Sequence, residues 1–133
     1  MRKLKLLILQ VAFAVVLLNT LALSQWSKLN TTGNIEHLKN ASVIYDPSGN
    51  RMIVYGGRNA AGEPTNNMYS LNLNSNVWSI VTQIGGPIPS PRYTHNAYYD
   101  INSNSMIIWS GQGIGGSLFN DVWKFSFASN TWS

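Results

Sequence analysis

The sequence contains no cysteine, which excludes disulfides, thiolate metal sites and cysteine nucleophiles together. Charge is sparse too, with Asp, Glu, Lys and Arg making up only 11% of the residues. A formal charge of +4 would suit a nucleic-acid ligand, but Arg2, Lys3 and Lys5 all sit at the extreme N-terminus. Beyond them six basic residues face five acidic ones, with no basic run or stripe to follow a phosphate backbone. No nucleic-acid partner is expected. Histidine occurs only at His37 and His95, 58 residues apart. A metal site draws three or four ligands from His, Asp, Glu and Cys at telling spacings. None can be read here, so no metal and no cofactor are expected. After residue 24 no window sustains a 3.6-residue apolar period, so no helix is expected there.

The longest apolar run is at the start. Arg2, Lys3 and Lys5 precede Leu6–Leu18, interrupted only by Gln10, and Ala22-Leu23-Ser24 supplies a small-x-small site. This is the pattern of a secretory signal peptide over residues 1–24, with cleavage after Ser24 leaving Gln25 first. The run is too short for a membrane-spanning helix of about 20 apolar residues. The expectation is a signal-peptide helix, then a mature chain that is secreted, periplasmic or otherwise extracellular, with no membrane attachment after cleavage. An uncleaved anchor is the alternative.

The mature chain repeats itself. Sliding residues 38–79 onto 92–133 without a gap gives 12 identities in 42 positions. Among them Tyr45 falls on Tyr99, Asp46 on Asp100, Asn50 on Asn104, Met52 on Met106, Gly57 on Gly111 and Trp78 on Trp132. Other pairs are like for like: Val54 with Ile108, Tyr55 with Trp109, Tyr69 with Trp123, Leu71 with Phe125. A fixed period near 50 residues marks an array of equal structural units.

Each unit reads as four short strands. In the first, Ala41–Asp46 is β-branched and aromatic, and Asp46–Asn50 is a Pro/Gly/Asn turn. Arg51–Gly56 is apolar throughout and so buried on both faces. Gly57–Asn66 is a polar loop, Asn67–Leu73 alternates, Asn74–Asn76 turns, and Val77–Thr82 carries Trp78. In the second, Tyr93–Asp100, Ser105–Gly111, Asp121–Phe127 and Thr131–Ser133 follow the same order. Trp26–Leu29 resembles Trp78–Val81 and is expected to be the closing strand of a partial unit. The divisions are therefore residues 1–24, 25–36, 37–84 and 85–133, the last with its fourth strand cut short.

Gly56-Gly57, Tyr69 and Trp78 in one unit carry a family resemblance. In the other it is carried by Pro91-Arg92-Tyr93-Thr94-His95, Asp100, Gly111, Asn120-Asp121, Trp123 and Trp132. The repeat resembles the kelch repeat, one blade of a β-propeller. Ser110 stands where the first glycine of the second unit belongs, and Leu38 and Ala41 replace the Arg and His in the first. The resemblance implies an all-β fold of four-stranded antiparallel blades in an incomplete ring. It gives Gly56, Gly57, Tyr69, Trp78, Arg92, His95, Gly111, Trp123 and Trp132 structural roles. Propellers close with four to eight blades, so the sequence reads as the N-terminal part of a longer chain; copies assembling into a ring are the alternative. Exposed blade faces make self-association an expectation.

No catalytic set emerges. Asp46 and Asp100 recur with the repeat and read as turn caps, as does Asp121 at the position of Asn67. Glu36 and Glu63 read as solvated loop acids, His37 as exposed, and His95 as packed and bonded to backbone. Gly111–Gly116 is glycine-rich, but with no helix after it the reading is an inter-strand loop, not a phosphate cradle. Some kelch-like propellers resemble galactose oxidase, whose copper site uses a tyrosine crosslinked to cysteine; this chain cannot build it. Asn30-Thr31-Thr32 and Asn40-Ala41-Ser42 match the N-glycosylation sequon. The aligned loops Arg58–Asn66 and Gln112–Asn120 are the longest in each unit and are expected to form a recognition rim. The functional expectation is a non-catalytic module binding protein or carbohydrate. The alternative is an N-terminal fragment of an extracellular propeller enzyme, an oxidase or glycan-active, with its active site in further blades.

Overall fold

The structure is a computed structural model and describes residues 26–133. The signal-peptide helix of residues 1–24 and its cleavage site lie outside the described residues.

Two four-stranded antiparallel sheets follow one another. The first contains β1 (Ser42–Asp46), β2 (Arg51–Tyr55), β3 (Met68–Asn72) and β4 (Val77–Ile80), in that order across the sheet. The second contains β5 (Asn96–Asp100), β6 (Ser105–Trp109), β7 (Val122–Ser126) and β8 (Thr131–Trp132), again in order. The pairing register is itself repeated. Ser42 faces Tyr55 and Asn96 faces Trp109; Leu71 faces Trp78 and Phe125 faces Trp132. The backbone specials repeat too. Asn50 and Asn104 take left-handed φ of 42° and 46°, and Asn76 and Asn130 take 58° and 55°. Asn tolerates that region, which is why all four hairpin turns use it.

The sheets stack face to face. Alternation along β1 turns Ser42, Ile44 and Asp46 inward and leaves Val43 and Tyr45 half exposed. Ile44, Ile53, Tyr55 and Met68 of the first sheet meet Met106, Ile108, Phe125 and Trp132 of the second in one buried cluster. Burying each such side chain contributes roughly 1.5–3 kcal/mol. The Trp132 ring lies 5.0 Å from Tyr55 across the junction and 5.1 Å from Phe125 in its own sheet.

Three expectations need correction. Trp26–Leu29 forms no strand, and Trp26 is fully exposed. A strand persists only where its backbone groups find a ladder. The first partner comes at Thr32, which bridges Val77 in parallel, beside β4. Next, β5 begins at Asn96 and not at Tyr93. Thr94 has φ of 53°, which breaks the extended path, and Tyr93 makes a separate bridge to Gln112. Last, Ile114–Gly116 is a single 3-10 turn where only loop was expected, with Gly115 inside it at a left-handed φ of 66°.

Candidate functional site

Arg92 lies at the junction of the two sheets and is completely buried. Its Nη1 and Nη2 donate to the two Asp121 oxygens at 2.6 and 2.8 Å, and Nη1 also donates to the Ser110 carbonyl at 3.0 Å. Nε donates to the Ser90 carbonyl, and the guanidinium lies 4.3 Å above the Phe119 ring. The Trp123 indole N–H donates to Asp121 at 2.7 Å. The guanidinium's hydrogen bonds, helped by Trp123, hold the Asp121 carboxyl down at about pH 2 against the opposing effect of burial. Asp121 is therefore an ion-pair partner, not the turn cap that its position suggested. Asp46 and Asp100 do cap turns: Asp46 accepts from the Ser48 and Gly49 amides, and Asp100 from the Asn102 amide and the Ser103 hydroxyl.

The first sheet has a related network without the arginine, whose position is taken by Leu38. Asn67 occupies the Asp121 position and Tyr69 the Trp123 position. Glu36, on the incoming connection, accepts from the Asn67 amide and, at 2.7 Å, from the Tyr69 hydroxyl. Glu36 is thus not a free loop acid. Burial, then the Glu36 contact, pushes the Tyr69 phenol upward. The carboxylate moved from strand to connection, a rewiring hidden from position-by-position alignment.

His95 is bonded to a side chain, not to backbone. Its Nε2 lies 2.6 Å from Ser42 Oγ, and its ring packs edge-on to Tyr55 at 5.5 Å. Neither His95 Nδ1 nor the Tyr55 hydroxyl has a hydrogen-bond partner among the described residues. Burial, then the Arg92 charge, pulls the imidazole down to about 4, and burial pushes the Tyr55 phenol up. A Ser–His contact of this length is the first half of a nucleophile–base arrangement. Here the base is enclosed, is weakly basic at neutral pH, and has no acid behind it. The pair joins β1 of the first sheet to the lead-in of β5. Sequence reasoning missed it because Ser42 and His95 fall on Asn96 and Ala41 in the repeat.

Glycines make these approaches possible. A Cβ on Gly56 (φ 63°) would lie 2.6 Å from the Arg92 carbonyl, and one on Gly111 (φ 104°) would lie 2.8 Å from the His95 Cβ. Gly57, likewise left-handed, donates its amide to the Arg92 carbonyl at 2.8 Å. Ser110 takes φ of 62° without glycine's freedom and is held there by Arg92. Trp123 and Trp78 are half-buried, whereas Tyr69 and Trp132 are buried.

Above this junction the β2–β3 and β6–β7 loops face one another. Between them runs a cleft of about 350 Å³, lined by Glu63, Pro64, Ser90, Pro91, Ile114, Ser117 and Phe119. A second hollow of about 250 Å³ shares Glu63, Pro64 and Ile114 and is lined further by Arg58 and Tyr93. Arg58 Nε donates to the Gly62 carbonyl at 2.8 Å, and its guanidinium stacks 4.6 Å from the Tyr93 ring centre. Ile114 and Leu118 stand three-quarters exposed beside the cleft.

A family profile described as the KLHDC2/KLHL20/DRC7 Kelch-repeats domain matches residues 11–133. The chain belongs to the kelch-repeat family. Its kelch relatives include Protein ral2 of Schizosaccharomyces pombe (strain 972 / ATCC 24843), 32% identical over 91 residues, 64% of this chain and 15% of that protein. Dynein regulatory complex subunit 7 of Chlamydomonas reinhardtii is 35% identical over 77 residues, 58% of this chain and 6% of that protein. This kelch segment therefore spans a small fraction of either relative. Among solved structures, the one titled "Structure of YjhT" superposes with a TM-score of 0.57 at 15% identity. That superposition covers 82% of this chain and 34% of the other, a likeness of fold alone. The two kelch blades correspond to the two sheets, and the Arg92, His95 and glycine geometry lies at the seam between them.

Proposed function

We propose that this chain is a non-catalytic protein-interaction module that recognises its partner at the loop rim above the blade junction. The observation that carries the reading is the cleft held open between Arg58–Asn66 and Gln112–Asn120. Loops on a rigid scaffold are the usual bearers of binding function. A protein segment fits better than a carbohydrate. The two rings near the cleft, Tyr93 and Phe119, each have one face under a guanidinium, so neither is fully open for a sugar to stack. Within these two blades the Ser42–His95 pair favours no catalytic role, being enclosed and without an orienting acid; the enzyme alternative places its active site in further blades. A photocrosslinker at position 114 of the full chain should capture a discrete partner. Replacing residues 59–64 with a short Gly-Ser turn, which leaves the crosslinker in place on the facing loop, should abolish that capture. Capture that survives the replacement refutes the reading.

Export is part of the proposal and rests on residues 1–24 alone. Protein recovered outside the cell should begin at Gln25; a product kept inside and starting at Met1 contradicts it.

Self-association is a second reading, favoured by one observation. The outer face of the second blade carries Tyr98, Trp109 and Val122, which are 56%, 37% and 69% exposed. These are the positional copies of Ile44, Tyr55 and Met68, with which the first blade holds the second. Sedimentation velocity should show concentration-dependent association that Val122→Lys weakens; a monomer throughout rules it out.

A further inference from the structure

Two sequence motifs are used neither by the seam nor by the rim, the sequons Asn30-Thr31-Thr32 and Asn40-Ala41-Ser42. The structure separates them. Asn40 has a backbone reason for being asparagine. It takes a left-handed φ of 57°, as its repeat partner Thr94 does at 53°, and Asn tolerates that region. Its carbonyl accepts from the Thr94 amide at 2.9 Å, and the third residue of the sequon, Ser42, is buried against His95 at 2.6 Å. Once the second blade docks, this sequon is locked into the seam.

The side chains of Asn30 and Thr32 have no such duty. Both residues are exposed, and among the described residues neither side chain makes a hydrogen bond. Thr32 serves β4 through its backbone alone, its amide donating to the Asn76 carbonyl at 3.0 Å and its carbonyl accepting from the Trp78 amide at 2.8 Å. The repeat copies neither residue, since Ile84 and Gly86 stand at the equivalent places before the second blade. An N-glycosylation acceptor consists of an Asn amide with a hydroxyl two residues on, and here both stand free in an irregular lead-in.

We infer that Asn30 is an N-glycan acceptor, modified during export, and that its glycan stands over the open edge of β4. The inference rests on the export reading. In the transfer, the Asn30 amide nitrogen bonds to C1 of the sugar and the bond from C1 to the pyrophosphate of a lipid-linked oligosaccharide breaks. The lipid pyrophosphate leaves, and the amide gives up one proton. β4 is the last strand of its sheet, and among the described residues only Thr32 bridges its outer side. Val77 and Ile80 lie exposed on it. An open edge with apolar side chains invites pairing with another chain. A bulky, hydrated glycan two residues before the bridge blocks that approach.

The test uses the full chain as its own cells make it. Peptide-N-glycosidase in heavy-oxygen water converts a glycosylated Asn to an Asp that carries the heavy isotope. Trypsin then parts the two sequons, one into residues 29–39 and the other into residues 40–51. The peptide 29–39 should be labelled, and more fully than 40–51. Thr32→Ala should abolish the label at Asn30 and lighten the intact chain by one glycan, whereas Thr32→Ser should keep both. Without its glycan, the Thr32→Ala chain should associate more than wild type in sedimentation velocity. Adding Ile80→Lys should reverse that gain, and adding Val122→Lys should not. Label at Asn40 exceeding that at Asn30, or label at Asn30 that survives Thr32→Ala, overturns the inference. Association unchanged by loss of the glycan overturns its place at the β4 edge. An unlabelled chain that leaves the cell starting at Gln25 sinks the glycan assignment and leaves export standing. An unlabelled chain kept inside and starting at Met1 sinks both.

Discussion

Between pH 6.5 and 4, acid should weaken this fold through the His95 imidazole. In the unfolded chain His95 takes up a proton near pH 6.5, and in the folded protein only near 4, because burial and the Arg92 charge disfavour the cation. Between those values the unfolded state holds more protons, so stability is fully present above pH 6.5 and declines toward pH 4. Each pH unit in that window is worth up to about 1.4 kcal/mol, so the whole interval removes about 3 kcal/mol. That is a large part of the 5–15 kcal/mol typical of a domain. Urea unfolding followed by tryptophan fluorescence at pH 7, 6, 5 and 4.5 measures it directly. His95→Gln keeps an amide within reach of Ser42 and removes the titrating ring. It should be less stable at pH 7 and nearly flat across the same window. If wild type and His95→Gln lose stability in parallel between pH 6.5 and 4, the imidazole is not enclosed as described.

Asp121→Ala leaves the buried Arg92 charge unpaired and should cost about 3–5 kcal/mol in urea unfolding. Because the Asp121 carboxyl is held down at about 2, its stabilisation should persist above pH 4 and disappear between pH 4 and 2, after the histidine effect is complete. Trp132→Ala should cost about 3–5 kcal/mol, and Trp78→Ala, at the half-buried copy, distinctly less by the same assay. Gly111→Ala should destabilise by more than 1 kcal/mol, since it combines left-handed backbone with a Cβ clash. Ser110→Gly should instead raise the melting temperature slightly, by relieving strain worth about 1 kcal/mol.

The repeat made the fold legible. A 54-residue shift that puts Met52 on Met106 and Trp78 on Trp132 fixes strand order, register and hairpin turns, because identical backbone positions recur with identical geometry. Strand ends were less legible. Thr94 gives no sign in its side chain that it will adopt φ of 53°, a conformation imposed by its repeat position, where Asn40 takes 57°. Trp26–Leu29 looked like a strand by likeness to Trp78–Val81, yet strand formation depends on a neighbour that residue type does not reveal. The seam was legible in part. Arg92 and His95 stood out through the family pattern, but their partners, Asp121 and Ser42, break the repeat, and so does Glu36. Repeat logic finds what is duplicated; the Ser42–His95 contact exists once, where one blade meets the next, and the Arg92–Asp121 and Glu36–Asn67 contacts use different residues in the two blades. The two rim loops could be aligned from sequence, whereas the bridges that anchor them, Lys39 to Arg58 and Tyr93 to Gln112, become apparent only in the structure.

The stacking of two blades through a shared aromatic seam is the claim on which the rest depends. Nuclear Overhauser contacts between the Tyr55 ring and the Trp132 indole test it most directly. Their ring centres lie 5.0 Å apart although the residues are far apart in sequence, so clear cross-peaks are expected. Their absence, with Trp132 in contact only with its own sheet, would contradict the account.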